Sequence, residues 1–236
     1  MKNINGLIPK YYQNGKVKAE NNYKDGKKEG LTRGYYESGK LKYQGNYKNG
    51  KLEGLEKVYY ESGKLKTEIN FKENKPEGLI REYYESGKLS SETFCKNGKE
   101  EGLKTLYHEN GNLRAEINYK TGKKDGIDRV YYETGVLEME VNYKTGKLEG
   151  TAKEYYENGN LEWEVNYKAG NLEGITKEYY QSGKIKSERN YKAGNLDGLT
   201  KKYYESGNLK AEKKFLGDNL IYEKYFEDKQ TKPSGT

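Results

Sequence analysis

The sequence is poor in the residues that usually build a hydrophobic core. Leu, Ile, Val and Phe make up about a sixth of the chain, below the usual globular level, whereas 34% of its 236 residues are charged. This composition cannot supply a thick core between two layers, and alone it would indicate disorder. The chain does contain 26 Tyr, one Trp and four Phe. Aromatic rings bury large areas even when one edge stays exposed to solvent, so we predict a folded but thin structure.

Cysteine and histidine each occur once, which excludes several kinds of site. Cys95 cannot form an internal disulfide or a cysteine-based zinc cluster, and His108 has no second histidine with which to bind a metal. We expect no cofactor. The first thirty residues contain no apolar signal-peptide core, and no stretch approaches the roughly 18 apolar residues of a membrane span. We therefore expect a cytoplasmic protein as the sequence stands, or a secreted or envelope protein if an upstream signal peptide has been removed.

A 24-residue repeat organises almost the whole chain. Glycines recur at this step from Gly15 to Gly207 and from Gly30 to Gly198. A fixed period of this length is typical of an array in which each unit stacks on the next. Paired aromatic residues keep the same step, with one histidine among them: Tyr11-Tyr12, Tyr35-Tyr36, Tyr59-Tyr60, Tyr83-Tyr84, Tyr107-His108, Tyr131-Tyr132, Tyr155-Tyr156, Tyr179-Tyr180 and Tyr203-Tyr204.

Each unit has the pattern of a β-hairpin. In the third copy, residues 54–60 form a first run, residues 61–63 a turn with Ser-Gly, and residues 64–72 a second run. Asn-Gly and Ser-Gly both suit turns that need positive φ. The second run alternates as a half-buried strand does. This alternation predicts one face with Leu65, Thr67, Ile69 and Phe71, and another with Lys64, Lys66, Glu68, Asn70 and Lys72.

The sequence therefore predicts an all-β fold, an elongated single-layer antiparallel β-sheet solenoid of about nine 24-residue β-hairpin repeats. At about 4.8 Å between strands, roughly eighteen strands would form a ribbon on the order of 85 Å long. We predict an N-terminal lead-in over residues 1–5, the repeat array over 6–226 and a flexible C-terminal tail over 227–236. In the last copy the aromatic pair Tyr225-Phe226 arrives two residues early, which we interpret as a C-terminal cap.

The stretch over residues 43–54, YQGNYKNGKLEG, resembles the MORN repeat, whose pattern is an aromatic, a glycine, an aromatic, then Asn-Gly-Lys and a closing glycine. The full unit is most similar to the second MORN subtype, found in the bacterial YwqK-type antitoxins. The resemblance covers residues 6 to about 226. It implies a single-layer antiparallel sheet used for protein or lipid contacts, and the likeness to YwqK implies neutralisation of a partner toxin.

No arrangement of side chains indicates catalysis, and we predict that the chain is not an enzyme. His108 stands where the other copies carry a tyrosine, so we interpret it as a surface substitution. Cys95 replaces an aromatic such as Tyr47 and is interpreted as a half-buried filler. The serine of Ser-Gly is exchanged for Asn or Thr in sister copies, as a turn residue would be. A glutamate ladder (Glu20, Glu68, Glu92, Glu116, Glu140, Glu164, Glu188, Glu212) resembles solvated charges that pair with lysines.

A net charge of +7 and a pI near 9.0 raise nucleic acid as a partner. However, Lys and Glu are interleaved within most units, so the sequence shows no continuous basic stripe that could follow a phosphate backbone. Specific nucleic-acid binding is therefore not expected. Contact with anionic membrane lipid through the scattered lysines remains an open alternative.

The sixth and seventh copies depart from the rest of the array. Residues 127–174 carry ten acidic and five basic side chains, a net charge of −5 in a basic protein. Glu138 and Glu162 stand where sister copies have lysines such as Lys66. Strict alternation would place these two glutamates beside Glu140 and Glu164 on one face of the sheet. This window therefore predicts an acidic patch.

An apolar feature accompanies the acidic one. At a position that is small in most copies, these two copies carry Met139 and Trp163, and Tyr43 is the other large residue there. Because Trp and Met are enriched at interfaces, we predict an apolar anchor on the face opposite the acidic patch. The predicted partner-binding residues are Trp163, Met139, Glu138, Glu140, Glu162, Glu164 and Tyr43. The alternative is that Met139 and Trp163 merely fill a local change of curvature.

The leading hypothesis is a non-enzymatic scaffold that binds a protein partner, as an antitoxin or immunity protein that covers a basic toxin surface. One alternative is a secreted or envelope-associated structural or adhesive array that makes many weak contacts. Another is a membrane-lipid binding MORN protein.

Overall fold

The computed structural model describes residues 4–228, and this range contains β-strands and no helix. The chain divides into two compact units, residues 1–123 and 124–236. Of the predicted lead-in, residues 1–3 lie outside the described range. Of the predicted tail, residues 229–236 lie outside it, and Glu227 and Asp228 follow the last strand.

The first unit is an antiparallel sheet built from long strands, six-residue strands and very short ones. The strands are β1 Gly6–Tyr11, β2 Val17–Lys24, β3 Lys27–Lys28, β4 Gly30–Tyr35, β5 Leu41–Lys48, β6 Lys51–Leu52, β7 Gly54–Tyr59, β8 Leu65–Lys72, β9 Lys75–Tyr83, β10 Leu89–Lys96, β11 Lys99–Glu100, β12 Gly102–Tyr107 and β13 Leu113–Lys120. The short strand β14, Lys123–Lys124, follows.

The second unit repeats the same construction, and every pairing within it is also antiparallel. Its strands are β15 Gly126–Tyr131, β16 Leu137–Lys144, β17 Lys147–Leu148, β18 Gly150–Tyr155, β19 Leu161–Lys168, β20 Asn171–Leu172, β21 Gly174–Tyr179, β22 Ile185–Lys192, β23 Asn195–Leu196, β24 Gly198–Tyr203, β25 Leu209–Leu216 and β26 Asn219–Tyr225. The predicted all-β antiparallel fold with nine hairpin repeats is confirmed.

The structure has more strands than the roughly eighteen expected, because the loop between two hairpins also forms short paired strands. In the second copy, β6 turns back onto the end of β5, where Tyr47 lies opposite Leu52 and Lys48 opposite Lys51. β7 then pairs with the middle of β5, opposite Tyr43 and Gln44. Most long strands are thus held by their own hairpin partner on one side and by two short segments on the other, whereas β8 and β25 pair there with one continuous strand, β9 and β26.

A one-residue β-bulge breaks the predicted alternation in every hairpin of this type. In the third copy, Tyr59 lies opposite Leu65 and Val58 opposite Thr67, so that Lys66 is the extra residue. Across a bulge, the extra residue and the one after it point to the same side of the sheet. Lys66 therefore shares a face with Thr67, and Leu65 shares a face with Tyr59. The sequence-based assignment of Leu65 and Lys66 was wrong for this reason.

The two faces of the sheet differ in burial, and we name them by their residues. Face A carries the position after the bulge, which is small and buried in several copies, as in Ala19, Ser91, Ala115, Ser187 and Ala211. Face B carries the glutamate ladder and an aliphatic position that stays exposed, as in Leu55, Leu103 and Ile175. The interior is therefore one layer of small side chains on face A.

A ladder of tyrosine hydroxyls links successive copies within each unit. The second tyrosine of a pair donates a hydrogen bond to the backbone carbonyl of the first tyrosine in the following copy. In the first unit, Tyr36 bonds Tyr59 at 2.6 Å and Tyr60 bonds Tyr83 at 2.7 Å. In the second unit, Tyr156 bonds Tyr179 at 2.8 Å. The 24-residue period is thus tied to a specific backbone contact.

The last strand ends the array with a modified register. A bulge between Lys214 and Phe215 in their pairing with β26 brings Tyr225 opposite Ala211. Because of this shift, the Tyr204 hydroxyl finds the carbonyl of Phe226 at 3.0 Å and the tyrosine ladder is completed. All seven residues of β26 are exposed. The early aromatic pair thus closes the last repeat.

Candidate partner-binding patch

Met139 and Trp163 lie close together on face A of the second unit. Strand β18 runs between β16 and β19, and its residue Glu154 lies opposite Met139 on one side and opposite Trp163 on the other. Met139 is 36% exposed and Trp163 is partly exposed. Two apolar side chains, separated by one carboxylate, therefore face solvent at a position that five other copies fill with Ala or Ser.

Glu138 and Glu162 join this group because both occupy bulges. The register shifts beside Met139 and Trp163 make Glu138 and Glu162 the extra residues of β16 and β19. Burial first, and then the charges of Glu162 and Glu138, raise the pKa of the Glu154 carboxyl. The prediction that Glu138 and Glu162 lie on the opposite face from Met139 and Trp163 was therefore wrong. We call Glu138, Met139, Glu154, Glu162 and Trp163 the acidic-aromatic patch.

The next copy shows what the same positions do when they carry cations. Glu178, the counterpart of Glu154, lies 2.6 Å from the Lys186 Nζ and 3.2 Å from the Arg189 Nη2. It also accepts a hydrogen bond of 3.0 Å from Ser187 Oγ. Although burial acts to raise the pKa of Glu178, the hydrogen bonds and charge of Lys186, with those of its other partners, lower it overall. Glu178 is thus neutralised within its own sheet.

Glu154 lacks these partners. The bulge position beside it carries Glu162 in place of Lys186, and Val165 stands where the next copy has Arg189. Within residues 4–228, no lysine or arginine forms an ion pair with Glu138, Glu154 or Glu162. The three carboxylates therefore present uncompensated negative charge beside Met139 and Trp163.

The tyrosines around the patch respond to the same charge. Burial, followed by the charges of Glu138, Glu162 and Glu154, raises the pKa of Tyr132. Burial and then Glu162 raise the pKa of Tyr156. Both hydroxyls belong to the tyrosine ladder, where they donate to the carbonyls of Tyr155 and Tyr179 at 2.7 and 2.8 Å. The rings beneath the patch are therefore held in place.

Arg189 covers one side of the anchor. Its guanidinium carbon lies 5.5 Å from the centre of the Trp163 ring, a cation–π distance. Because Arg189 also contacts Glu178, the indole is fixed from the side of the eighth copy. Trp163 thus contacts a cation on one side and has Glu154 and Glu162 as acidic neighbours.

Comparison with known proteins identifies the repeat. The family model of the MORN repeat variant matches residues 4–25, 28–49, 52–73, 76–97, 100–121, 124–145, 148–169, 172–193 and 196–216. The chain belongs to this family. The matches follow one another through nine repeats, so the acidic-aromatic patch lies in the sixth and seventh MORN repeats.

Similarity to individual proteins is weak. No curated protein matches the chain. A solved structure described as the crystal structure of TcdB2-TccC3 is 12% identical, with a TM-score of 0.23, and the match covers 91% of this chain and 14% of that one. A second, of TcdB2-TccC3-Cdc42, is also 12% identical, with a TM-score of 0.21 and coverages of 88% and 13%. The MORN chain thus spans about one seventh of the length of these chains.

Glu140 and Glu164 lie on the other face of the MORN sheet, apart from the patch. Glu140 Oε2 lies 2.8 Å from the Arg129 Nε and is also opposite Lys153. Glu164 lies opposite Lys153 and Lys177. Both glutamates therefore face basic residues of neighbouring strands, as the predicted lysine-paired ladder implies.

Tyr43, the seventh predicted residue, lies in the first unit and has a packing role there. Its ring covers Gly34, which is opposite Tyr43 in the hairpin. A Cβ added at Gly34 would lie 2.0 Å from Tyr43 Cε1. Burial first, and then Glu56, raise the pKa of Tyr43. In the second MORN repeat, the Tyr43 ring thus fills the space that Gly34, opposite it on the neighbouring strand, leaves free.

Sequence reasoning missed Glu154 and Arg189. Glu154 is on the first strand of its hairpin, and its place between Met139 and Trp163 depends on the strand register. A signal existed in the spacing of the repeat. Glu154 and Trp163 are nine residues apart and are hairpin partners, and the equivalent positions are hairpin partners in the other regular MORN repeats. Adding this spacing to the repeat pattern would have located Glu154, but not Arg189, which lies opposite Thr176 and reaches Glu178 from eleven residues away.

The remaining candidate groups do not form a chemical site in the described part of the MORN array. Cys95 is 5% exposed, more buried than the half-buried filler that the sequence predicted, and burial raises the pKa of its thiol. Between residues 4 and 228, no three His, Cys, Asp or Glu side chains are grouped so that they could hold a metal ion. The same range contains no helix with the length and apolarity needed to cross a membrane.

Proposed function

We propose that this chain is a non-enzymatic MORN scaffold that binds a protein with a basic surface through the acidic-aromatic patch. One observation carries the proposal: three carboxylates that form no internal ion pair are grouped with Met139 and with a partly exposed tryptophan, Trp163, which contacts Arg189. In the next copy, the equivalent glutamate is neutralised by Lys186 and Arg189. A partner that supplies Lys or Arg at Glu154 would complete the same arrangement between two molecules.

The energetics favour a partner over a purely structural role. Burial first, and then the charges of Glu162 and Glu138, raise the pKa of Glu154, so part of that rise is the cost of holding like charges close together in the free protein. A cation from a partner would remove the repulsion and would also speed the encounter. Trp163 and Met139 supply the apolar contact, since tryptophan is enriched among residues that contribute most to binding.

As the most specific form of this proposal, the partner is a toxin that the chain neutralises. The support is the resemblance of the repeat sequence to that of the YwqK-type antitoxins, which is an interpretation of the sequence, together with the chemistry of the patch. In this role the chain would act by covering a basic functional surface of the toxin, and no catalytic step on its own side would be needed.

The test uses two face-A variants, which copy residues of sister repeats, and one face-B control. Glu138→Lys/Glu162→Lys introduces the residue found at Lys66 and Lys186, and Trp163→Ala introduces the residue found at Ala211. These changes should therefore leave the fold intact. Wild-type and variant proteins would be used for pull-downs from the native host, with partners identified by mass spectrometry. We expect one protein to be lost with both face-A variants and retained with the control Glu140→Gln/Glu164→Gln on face B.

The captured protein would then be purified and titrated calorimetrically. We expect the charge reversal to weaken binding by at least about 2 kcal/mol, and wild-type affinity to fall as salt is raised. Neutralisation would be measured as rescue of growth when the partner is expressed with the wild-type chain. Equal capture by all variants would rule out the patch as the binding site. Capture that depends on the patch, without toxicity of the partner, would retain the scaffold and reject the antitoxin role.

A further inference from the structure

The net charge of the chain is concentrated in the first unit. Residues 1–123 contain 25 Lys and Arg against 17 Asp and Glu, a net charge of +8. Residues 124–236 contain 19 basic and 20 acidic residues, a net charge of −1. The whole positive charge of the protein is therefore a property of the first unit, which does not contain the acidic-aromatic patch.

Part of this charge forms a row along the loops that join successive hairpins. In three neighbouring loops the strand register puts two lysines directly opposite each other: Lys48 and Lys51, Lys72 and Lys75, and Lys96 and Lys99. We call these six residues the lysine row. The loop before them repeats the arrangement with Lys24 opposite Lys27. Opposed like charges destabilise a sheet, so their recurrence calls for an explanation other than stability.

The loops of the row are continuous with one another. The backbone N–H of Asn74 donates to the carbonyl of Leu52 at 3.0 Å, and that of Gly98 donates to Pro76 at 2.9 Å. Each loop is thus hydrogen-bonded to the loop before it. Successive copies are separated by about 10 Å, twice the spacing of neighbouring strands. The lysines therefore follow a fixed line.

The carboxylates nearest to this line are mostly engaged by the backbone. Glu53 accepts from the N–H of Glu73 at 2.9 Å, and Glu77 accepts from the N–H of Asn97 at 2.6 Å. Within residues 4–228, Lys51 is the member of the row that forms an ion pair, at 3.3 Å from Glu73. All six lysines are exposed. Most of their ammonium groups are therefore available to a ligand.

The second unit provides an internal comparison. Three of its corresponding loops pair Lys168 with Asn171, Lys192 with Asn195, and Leu216 with Asn219, whereas a fourth pairs Lys144 with Lys147 as the first unit does. The same turn therefore forms without the second lysine. The opposed lysines of the first unit are not required by the fold.

We propose that the lysine row binds an extended phosphodiester chain through its backbone phosphates. Such a chain carries one negative charge per unit along a flexible line, and lysine contacts phosphate as a point charge without demanding a planar, bidentate geometry. The row contains no arginine. The aromatic rings at the loop ends, such as Tyr47 and Phe71, are partly buried, and the Lys28 ammonium covers Tyr47 at 4.6 Å. Recognition is therefore independent of base sequence.

The sequence suggested no continuous basic stripe, because Lys and Glu are interleaved within most 24-residue repeats. The stripe arises in the loops that join successive repeats. There the strand register brings one pair of lysines from each copy to the same line. Phosphodiester binding by the lysine row goes beyond the proposed protein-binding function. The lysine row lies in the first unit, whereas the acidic-aromatic patch lies in the second.

The test uses the full-length chain and a fluorescently labelled oligothymidylate of about 30 nucleotides. Anisotropy titrations at several salt concentrations would compare the wild type with Lys51→Asn/Lys75→Asn/Lys99→Asn, which introduces the asparagine of the sister loops. We expect saturable binding of the wild type. In the variant we expect binding about tenfold weaker or more, and a salt-dependence slope smaller by about 2, at about 0.7 per lost phosphate contact.

A matched control removes the same charge at the other ends of the strands. Lys40→Asn/Lys64→Asn/Lys88→Asn introduces the residue that sister copies carry as Asn160 and Asn208. We expect this control to bind within about twofold of the wild type. Equal losses in both triple variants would mean that only net charge matters and would overturn the proposed site. Absence of saturable binding at low salt would overturn it as well.

Competition distinguishes the sources of the phosphodiester. Displacement of the probe by unlabelled oligothymidylate alone would identify nucleic acid, and equal displacement by a glycerol-phosphate polymer would identify any phosphodiester chain; both outcomes support the proposal. Equal displacement by polyglutamate of the same charge would overturn it in favour of an acidic polypeptide. Displacement confined to vesicles of anionic lipid would overturn it in favour of a membrane surface.

Discussion

Single side chains on face A are fitted to the residue across the strand. Gly34 leaves the space that the Tyr43 ring fills, whereas sister hairpins place a larger residue opposite a smaller one, as with Leu106 and Ala115. In a sheet with one layer of small buried side chains, there is no deeper interior into which a misplaced atom could move. Packing errors must therefore be costly at this position.

Gly34→Ala should destabilise the protein because its new Cβ would overlap the Tyr43 ring. We expect the free energy of unfolding to fall by roughly 1–3 kcal/mol, the usual cost of overpacking. Urea unfolding followed by circular dichroism would measure it. The double variant Gly34→Ala/Tyr43→Ala should regain most of the loss, and an equal loss in both variants would show that the ring is not the cause.

Glu154 should make stability depend on pH in a defined direction. Its raised pKa means that the folded chain holds the proton more tightly than the unfolded chain. The charged carboxylate therefore destabilises the fold once the pH has risen through the raised pKa. The penalty is absent below the ordinary glutamate pKa of about 4.3.

Glu154→Gln should consequently raise the melting temperature at pH 7, by at most about 2 °C since the side chain is largely exposed. The gain should shrink as the pH falls towards 4. Differential scanning calorimetry across this range would measure it. Glu140→Gln, which loses the Arg129 contact, should give no gain, and equal gains in both variants would contradict the role assigned to the patch.

At the scale of the strand and hairpin, the repeat pattern predicted the element types and the period, because aromatic pairs and Gly turns recur at a constant step. It did not predict the bulge, because alternation cannot reveal one extra residue where both Lys66 and Thr67 are compatible with solvent. That residue changed the face of Glu138 and Glu162. The fold was therefore predictable, whereas the composition of the patch depended on a register that periodicity does not contain.

The contact between neighbouring hairpins should depend on the tyrosine hydroxyl. Tyr60→Phe removes the 2.7 Å bond to the carbonyl of Tyr83 and keeps the ring. We expect a loss of about 0.5–1.5 kcal/mol in unfolding free energy. Tyr23→Phe serves as the control, since within residues 4–228 the Tyr23 hydroxyl makes no hydrogen bond. Denaturant unfolding should separate the two variants, and equal losses would reject the ladder as a stabilising contact.

At the scale of the whole molecule, the two units carry different charges, and β26, the last described strand, is exposed along its length. In β26, Ile221 is 56% exposed and Tyr225 is 63% exposed. Within the described residues, β26 pairs with β25. A terminal strand with exposed backbone groups and apolar side chains is a site at which copies of a protein associate.

Ile221→Lys should reduce association at high protein concentration, because a charged residue on an edge strand opposes pairing with another edge. Light scattering at increasing concentration would compare the variant with the wild type. Lys224→Arg keeps the charge and should behave as the wild type. A scattering curve unchanged by Ile221→Lys would show that association, if present, does not use this strand.

The tyrosine ladder also bears on how such a chain can change its length over generations. Each bond joins positions 23 residues apart in regular repeats, as with Tyr36 and Tyr59, or Tyr180 and Tyr203. Gain or loss of one complete repeat by unequal recombination recreates the same bond at the new junction. An insertion of any other length shifts the register and needs a compensating bulge, as the 22-residue step from Tyr204 to Phe226 does. Genes of this construction can therefore expand and contract in whole units, which offers selection a graded series of binding surfaces.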